Sequence, residues 1–290
     1  MGKSILDFRF WILDSLRRRS VLHVLAAAML LSSPASLVSA GGAQSPAPIQ
    51  NPKSKIQNAL PSRIDPKAQA ILDKTLQALG GPAFLGFKTL STSGRAFSIS
   101  DGTTVGFVTF DSSMEYPDKR RLAYGLGKKK PIILINNGDE AWEVDPVGLT
   151  TQRAEQVRTW KISNPYSLEN LLRLRLREPG VLVQLGGVDF VDLTAVQIVE
   201  IFDAHHVQVK LAISKKTWLP VRISYRVQNP KTQDWDEYAD DYSDYQTIQG
   251  IATPMHIARF VNDERVAETF RSKAKYDDTY PPGYFEPPSS

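Results

Sequence analysis

The chain has 290 residues, of which 42% are hydrophobic, 23% charged and 9% aromatic. This composition is that of an ordinary globular protein, so collagen-like and wholly disordered classes are excluded. The absence of cysteine excludes disulfide scaffolds, thiol catalysis and cysteine-ligated metal sites. Of the net charge of +4, residues 1–40 carry five basic and two acidic side chains, or +3. The charge therefore gives no reason to expect a nucleic-acid partner.

The first forty residues have the three parts of a secretory signal peptide. A run of arginines at 17–19 precedes an apolar stretch over 21–31, and the small residues at 38–40 offer a cleavage site. The apolar stretch is shorter than the roughly 20 residues that a membrane-spanning helix needs. We predict a signal peptide over 1–40. Two alternatives stay open, export by the twin-arginine route and retention of an uncleaved leader as a membrane anchor.

The rest of the chain divides into a linker and one domain. Residues 41–63 are rich in Pro, Ser and Gln and have no hydrophobic periodicity, which is typical of a flexible linker. Residues 64–290 are long enough to fill a single core. A leader followed by such a domain predicts an exported, periplasmic protein, and a chain without cysteine tolerates that oxidising compartment.

Two segments have helical signals. Asp65 and Pro66 form a cap-and-proline start, apolar residues then recur at helical spacing, and Gly80 ends the pattern. The spacing predicts a helix over 66–79. A second cap-and-proline start at 164–165 predicts a helical segment over 166–177, and a looser helix is expected over 151–160.

Elsewhere the hydrophobic period is two, as expected for strands, and short turn signals such as Asn137-Gly138 separate the segments. Short connections favour antiparallel pairing. The strands are expected at 90–98, 104–114, 119–125, 132–136, 141–144, 181–186, 188–202, 206–213, 219–227, 235–247, 251–261 and 265–276. The predicted fold is mainly β (α+β), a curved antiparallel sheet that forms an unclosed β-barrel of about ten or eleven strands with covering α-helices.

Short motifs follow one another in a fixed order through this domain. They are Leu79-Gly80-Gly81 before a strand with Gly94, Tyr116-Pro117-Asp118-Lys119-Arg120, Asn137-Gly138-Asp139 with Trp142, Thr217-Trp218-Leu219-Pro220, Ser243-Asp244-Tyr245 with Gly250-Ile251 and Pro254, and Tyr284-Phe285-Glu286-Pro287. Their order resembles the LolA/LolB/RseB superfamily of periplasmic lipoprotein carriers and sensors, in particular the outer membrane lipoprotein-sorting protein group. The resemblance implies an unclosed barrel whose hydrophobic hollow binds acyl chains. It also implies that the helices at 66–79 and 166–177 act as lids.

An apolar hollow needs no signature residues, because each buried methylene contributes about 0.8 kcal/mol. Apolar side chains at alternating strand positions are the candidate ligand contacts: Phe97, Phe107, Leu122, Tyr124, Ile133, Ile135, Trp142, Leu211, Val221, Ile223 and Tyr225. The alternative is that these side chains form a solid core against the helices.

Each of four charged or histidine clusters can be explained either by a binding function or by an ordinary structural role at the surface. His205 and His206 fall in an expected turn, and adjacent strand residues point to opposite faces, so a shared metal is disfavoured. The acidic run at 234–244 lacks the spacing of an EF-hand loop. Basic residues at 119–121 with 128–130, and the arginines of 173–177, could contact anionic headgroups or face water. We predict no catalytic residue, metal or cofactor.

The predicted function is a non-enzymatic periplasmic carrier for a hydrophobic ligand, either lipoprotein acyl chains or a lipid. The alternative is an envelope signalling module that binds a protein partner, which could be a membrane protein. A lipid or glycan hydrolase is the third hypothesis, since scattered carboxylates are present but the sequence shows no nucleophile–base pair.

Overall fold

The computed structural model describes residues 63–127, 130–230 and 232–288. The predicted signal peptide at 1–40 and nearly all of the predicted linker lie outside the described residues, so these boundaries stay predictions. Among the helices of the described ranges, none combines the length and hydropathy that crossing a bilayer requires.

One sheet forms the frame of the domain. Within the described ranges it has 14 strands in the order β1-β8-β9-β10-β11-β12-β13-β14-β2-β3-β4-β5-β6-β7. Only the short β1 pairs in parallel, with β8. The strands are β1 (Arg63–Ile64), β2 (Thr89–Ser100), β3 (Thr103–Glu115), β4 (Lys119–Gly125), β5 (Ile132–Asn137), β6 (Glu140–Asp145), β7 (Gly148–Thr151), β8 (Leu182–Val191), β9 (Thr194–Phe202), β10 (Gln208–Ser214), β11 (Pro220–Gln228), β12 (Trp235–Ile248), β13 (Ile251–Val261) and β14 (Glu264–Tyr276).

The helices lie before β2 and between β7 and β8. They are α1 (Pro66–Leu79), α2 (Pro82–Gly86), α3 (Ala154–Ser163) and α4 (Leu168–Arg173), with short 3-10 helices at Asn164–Tyr166 and Arg175–Arg177. The sheet is therefore two antiparallel meanders, β2–β7 and β8–β14, joined by the pairing of β14 with β2. The predicted mainly β, unclosed barrel with helices is confirmed.

Helix α1 has the bounds that the sequence predicts, because both of its ends are specified locally. The Asp65 carboxylate accepts hydrogen bonds from the backbone N–H groups of Lys67 (2.7 Å) and Ala68 (3.1 Å). At the other end Gly80 has a φ of 124°, a conformation in which glycine meets no Cβ penalty.

We expect Asp65→Ala to lower the free energy of unfolding by about 1 kcal/mol, since two N–H groups lose their acceptor. Urea unfolding followed by circular dichroism measures the change. Lys67→Ala is the matched control, because the side chain of Lys67 is exposed and only its backbone N–H takes part in the cap. Equal stability of the two variants would contradict the cap.

The main hydrophobic core lies between the helices and the concave face of β8–β13. Helices α1, α2 and α4 fill this half of the barrel and are not loose covers of an empty space. Its most buried members include Leu72, Leu79, Phe84, Phe87, Leu171, Leu172, Ile201, Leu211, Ile213 and Ile223. A smaller cluster of Val191, Val196 and Ala212 packs on the opposite face of the sheet.

The structure corrects three details of the sequence prediction. The break expected near Gly186 is a bulge inside β8, which Gly187 accommodates at a φ of 96°, and the chain turns instead at Asp192 and Leu193. The sheet has more than the expected ten or eleven strands, partly because β1 and β7 are two- and four-residue edge strands without a period-two signal. The helix expected over 166–177 is only α4 with its flanking 3-10 turns.

Candidate functional site

Strand register assigns each residue to the concave or the convex face of the sheet, because directly paired residues share a face. Leu90 belongs to the main core and pairs with Tyr276 of β14 and Met114 of β3. Met114 in turn pairs with Arg120 of β4, which pairs with Asn136 of β5. These residues therefore lie on the concave face. On each strand without a bulge, every second residue counted from them lies on the same face.

The predicted ligand contacts divide between the two faces. Those on the concave face are Leu122, Tyr124, Leu211, Ile223 and Tyr225. Those on the convex face are Phe97, Phe107, Ile133, Ile135, Trp142 and Val221. A period of two does not reveal which parity faces inward, so these six positions were assigned to the wrong face. Val221 lies at a register shift between β10 and β11, which turns it toward the small convex cluster.

On the β8–β13 side, the concave positions are filled. Leu211 and Ile223 are 0% and 1% exposed and belong to the main core. The ring of Tyr225 lies 4.5 Å from that of Tyr166 and 5.5 Å from that of Tyr238. This half of the barrel matches the solid-core alternative.

The other half of the concave face has a different environment. Val108, Phe110, Ile132 and Leu134 are buried there, yet they belong to neither core cluster of the described residues. Leu122 lies beside them, half-buried. The helices α1, α2 and α4 therefore do not account for all of the apolar concave surface.

Helix α3 packs against the β4 side of this region. The Arg120 guanidinium of β4 lies 4.0 Å from the ring centre of Trp160. Burial raises the pKa of Tyr238 of β12, and the charge of Arg158, two residues earlier in α3, acts against that effect. We use the term concave hollow for the part of the concave face that carries Leu122, Tyr124, Arg120, Tyr238, Asp240 and Arg259.

The concave hollow carries charge on its walls. Arg259 forms a two-pronged ion pair with Asp240, with both N–O distances 2.8 Å. The Asp240 charge raises the pKa of Arg259 while desolvation acts against it, although 42% of the Arg259 side chain is accessible. Asp240 also pairs with Ile223 of the main core, so this ion pair lies on the concave face.

Arg120 lies on the facing wall and donates to Asn136 Oδ1 at 2.9 and 3.2 Å. Burial, and then repulsion from Arg259, lower the pKa of Arg120 to about 10. Burial likewise raises the pKa values of Tyr225 and Tyr238. The curl of the sheet thus brings two arginines and several phenols into one apolar concavity, which suits a ligand with an apolar body and a polar end.

The convex face holds an open groove of about 1020 Å³, lined by the β8–β9 and β10–β11 turns and by β11–β13. On its floor Ser243 Oγ lies 2.9 Å from His256 Nδ1, a nucleophile–base pair that the sequence did not reveal. Glu268 is 3.7 Å from His256 Nε2, beyond hydrogen-bonding distance, and Arg265 binds Glu268 at 2.6 Å. This geometry lacks the oriented base that serine hydrolysis requires.

The charged clusters of the sequence are dispersed by the fold. The turn predicted at His205 and His206 is present, and Asp203 Oδ1 accepts from the backbone N–H groups of His205 and Val207. In the acidic run, Asp240 binds Arg259, and Arg222 binds Asp241. The acidic residues therefore balance arginines on neighbouring strands.

The basic clusters behave in the same way. Lys119 binds Glu115 at 2.7 Å, Arg120 enters the concave hollow and Arg121 packs on the Tyr284 ring of the C-terminal segment. Arg173 neither faces water nor points to a headgroup position, because it is buried over the Phe87 ring at 3.8 Å. Lys128 and Lys129 lie outside the described residues.

Comparison with known proteins gives fold likenesses at low identity. No protein-family model and no curated protein sequence matches the chain. A DUF1329 family protein from Desulfovibrio piger is 15% identical, with a TM-score of 0.52 over 76% of this chain and 97% of that one. The chain has a LolA/LolB/RseB-like fold. The fold expected from its motifs is thereby confirmed.

Two further solved structures are similar at lower TM-scores. A domain from Vibrio parahaemolyticus named for outer membrane lipoprotein sorting is 8% identical, covers 76% of this chain and 97% of its own, and has a TM-score of 0.49. A LolA superfamily protein from Nitrosomonas europaea is 14% identical, covers 73% and 94% respectively, and has a TM-score of 0.46.

Proposed function

We propose that the chain is a non-enzymatic periplasmic binding or carrier protein for a lipid or a lipoprotein acyl chain, held in the concave hollow. One observation carries the proposal. The apolar concave surface of β3–β5 lies outside the helix-filled core. Leu122 and Tyr124 on this surface are only half-buried, and α3 contacts the same surface where Trp160 meets Arg120. An acyl chain on this surface would gain about 0.8 kcal/mol for each methylene it buries.

The other parts of the proposal follow from the sequence. The leader at 1–40 directs export of the chain. The linker at 41–63 separates the leader from the domain at 64–290. Ligand contacts are Leu122 and Tyr124 of β4, with Tyr225 at the border of the solid core. Leu211 and Ile223 support the hollow from within the core and do not touch the ligand.

Lipid extraction and mass spectrometry of the chain, purified from cell envelopes without detergent, test the proposal directly. Stoichiometric acyl species are expected. In a second measurement, Leu122→Trp should weaken uptake of a fluorescent fatty acid about tenfold, because the larger side chain occupies the hollow. Circular dichroism checks that the variant is folded.

Phe107→Ser is the matched control, since Phe107 lies on the convex face and is 47% exposed. It should leave uptake unchanged. A ligand-free wild-type protein that takes up no fatty acid would refute the proposal and establish that the whole barrel interior is solid core.

A further inference from the structure

The convex face carries a row of aromatic side chains that the concave hollow does not use. Phe107, Phe97 and Phe270 lie on β3, β2 and β14, with successive ring centres 5.9 and 5.7 Å apart. His256 of β13 stacks on Phe270 at 4.3 Å. Phe107 is 47% and Phe270 43% exposed. Four rings thus cross four neighbouring strands in a line, which we call the aromatic row.

The aromatic row continues the floor of the convex groove. His256 lines the groove and is also the first ring of the row. Groove and row together follow the hydrogen-bonding direction of the sheet, across strands spaced about 4.8 Å apart. The result is one long, shallow track, aromatic along the row and lined by both apolar and charged side chains in the groove. A long track fits an extended chain better than a compact small molecule. The groove is also recessed into the surface, so a flat bilayer would not contact its floor.

The end of the track at the β10–β11 turn is basic. Lys215 and Lys216 line the groove there and are exposed. Within the part of the chain that the structure describes, neither ammonium group has a carboxylate partner. Two carboxylates line the groove, Asp192 and Asp241. Asp241 is already bound by Arg222, and Glu268 beside the row is bound by Arg265. Lys215 and Lys216 therefore outnumber the remaining groove carboxylate, Asp192, and the groove keeps a net positive charge.

The turn between β8 and β9 forms one side of this groove and adds an apolar side chain to it. Leu193 is 97% exposed at the tip of the β8–β9 turn, with a φ of 63°. A leucine is disfavoured there both by its exposure and by its backbone conformation, where glycine or asparagine is usual. Folding alone gives no reason for this side chain, whereas contact with an apolar partner does.

We propose that the convex groove and the aromatic row bind an extended segment of a protein partner that carries acidic and apolar side chains. The apolar side chains pack on Phe270 and Phe107, and the acidic ones face Lys215 and Lys216. Strand addition to the edge of β8 is a poorer fit, because the bulge at Gly186–Gly187 interrupts that edge. The surface is separate from the concave hollow, so the proposal stands independently of lipid binding.

Fluorescence anisotropy with labelled synthetic peptides tests the proposal on the full chain. The probes are a peptide of about ten residues in which glutamate alternates with leucine, and its lysine–leucine counterpart. Saturable binding of the acidic peptide is expected, with the lysine peptide at least about tenfold weaker. The double variant Phe107→Ser/Phe270→Ser should weaken the acidic peptide about tenfold.

A charge swap provides the sharper test. Lys215→Glu/Lys216→Glu should reverse the preference toward the lysine peptide. Lys67→Glu is the matched control that should not, because Lys67 is an exposed residue of α1. Binding that is indifferent to these convex variants but lost in Leu122→Trp would place the peptide in the concave hollow and overturn the proposal. The absence of saturable peptide binding would also overturn the proposal. A third contradicting result is that the wild-type protein sediments with phosphatidylglycerol vesicles and the Phe107→Ser/Phe270→Ser variant does not, because the convex face would then bind a membrane.

Discussion

Gly94→Ala is expected to lower the free energy of unfolding by about 3 kcal/mol, or to prevent folding, because an added Cβ has no room in the sheet. Gly94 of β2 pairs with Arg271 of β14 and with Phe110 of β3. A Cβ there would collide with the carbonyl oxygen of Phe270 and come within 3.0 Å of the Arg271 Cα. These are backbone atoms, so relief requires β14 to move away from β2. This is the seam that joins the two meanders.

Gly86→Ala is the matched control for this prediction. Gly86 ends α2, and an added Cβ would meet nothing within 4 Å. Its backbone does not need a left-handed conformation, so alanine should be neutral or stabilising by up to about 1 kcal/mol. Urea unfolding of both variants decides the matter. Equal midpoints would show that β14 and β2 have enough freedom to absorb a methyl group, against the close packing described above.

The sequence was sufficient to predict the fold where local chemistry decides the structure. Helix α1 has its cap residue, its proline and its terminating glycine within the segment itself. The strands β4 and β13 have their predicted bounds because turn residues mark both of their ends. The β8–β9 turn was misplaced because two glycines looked like a turn, whereas the true turn uses Asp192 and Leu193 at positive φ.

The candidate site was less predictable because its residues meet only through the curl of the sheet. Arg120 and Arg259 belong to strands four positions apart in the sheet order, and their mutual repulsion depends on the curl of the sheet. The alternating hydrophobic pattern predicts where the strands lie, but it does not indicate which set of alternate residues faces the inside of the barrel. The prediction that Phe97 and Phe107 face the hollow is therefore wrong. The register of β2 with β3 and β14 places them on the convex face.

The two faces of the sheet are therefore suited to different partners. The concave hollow combines an apolar wall with the Arg259–Asp240 pair and Arg120, and suits an amphipathic small ligand. The convex track combines exposed rings with free ammonium groups, and suits a polypeptide. The two proposals are compatible, because the concave hollow would hold the lipid while the convex track holds the partner segment.

Alkaline unfolding should be steep, because burial raises the pKa values of many tyrosines in the barrel. This group consists of Tyr116, Tyr166, Tyr225, Tyr238, Tyr242, Tyr245 and Tyr276. The unfolded chain releases the phenolic protons near the ordinary pKa of about 10, while the folded chain still holds them. The stability they contribute is complete below pH 10 and is lost as the pH rises above it. Each phenol removes about 1.4 kcal/mol per pH unit.

Tyr276 provides the clearest single test, since burial is the main cause that raises its pKa to about 12. Tyr276→Phe should lower stability at neutral pH by about 1 kcal/mol, because the hydrogen bond between Tyr276 and Thr253 at 2.8 Å is lost. Between about pH 10 and about pH 12, however, the stability of this variant should fall less steeply than that of the wild type, by about 1.4 kcal/mol per pH unit.

Urea unfolding over this pH range, with phenolate absorbance recorded in parallel, measures both effects in the same samples. Phe107→Tyr is the control, because it adds an exposed phenol on the convex face that ionises alike in the folded and unfolded chains and so should leave the slope unchanged. If Tyr276→Phe had the slope of the wild type, Tyr276 would ionise equally in the folded and unfolded chains. That result would contradict the burial of Tyr276 against Phe87, whose ring lies 4.7 Å from its own.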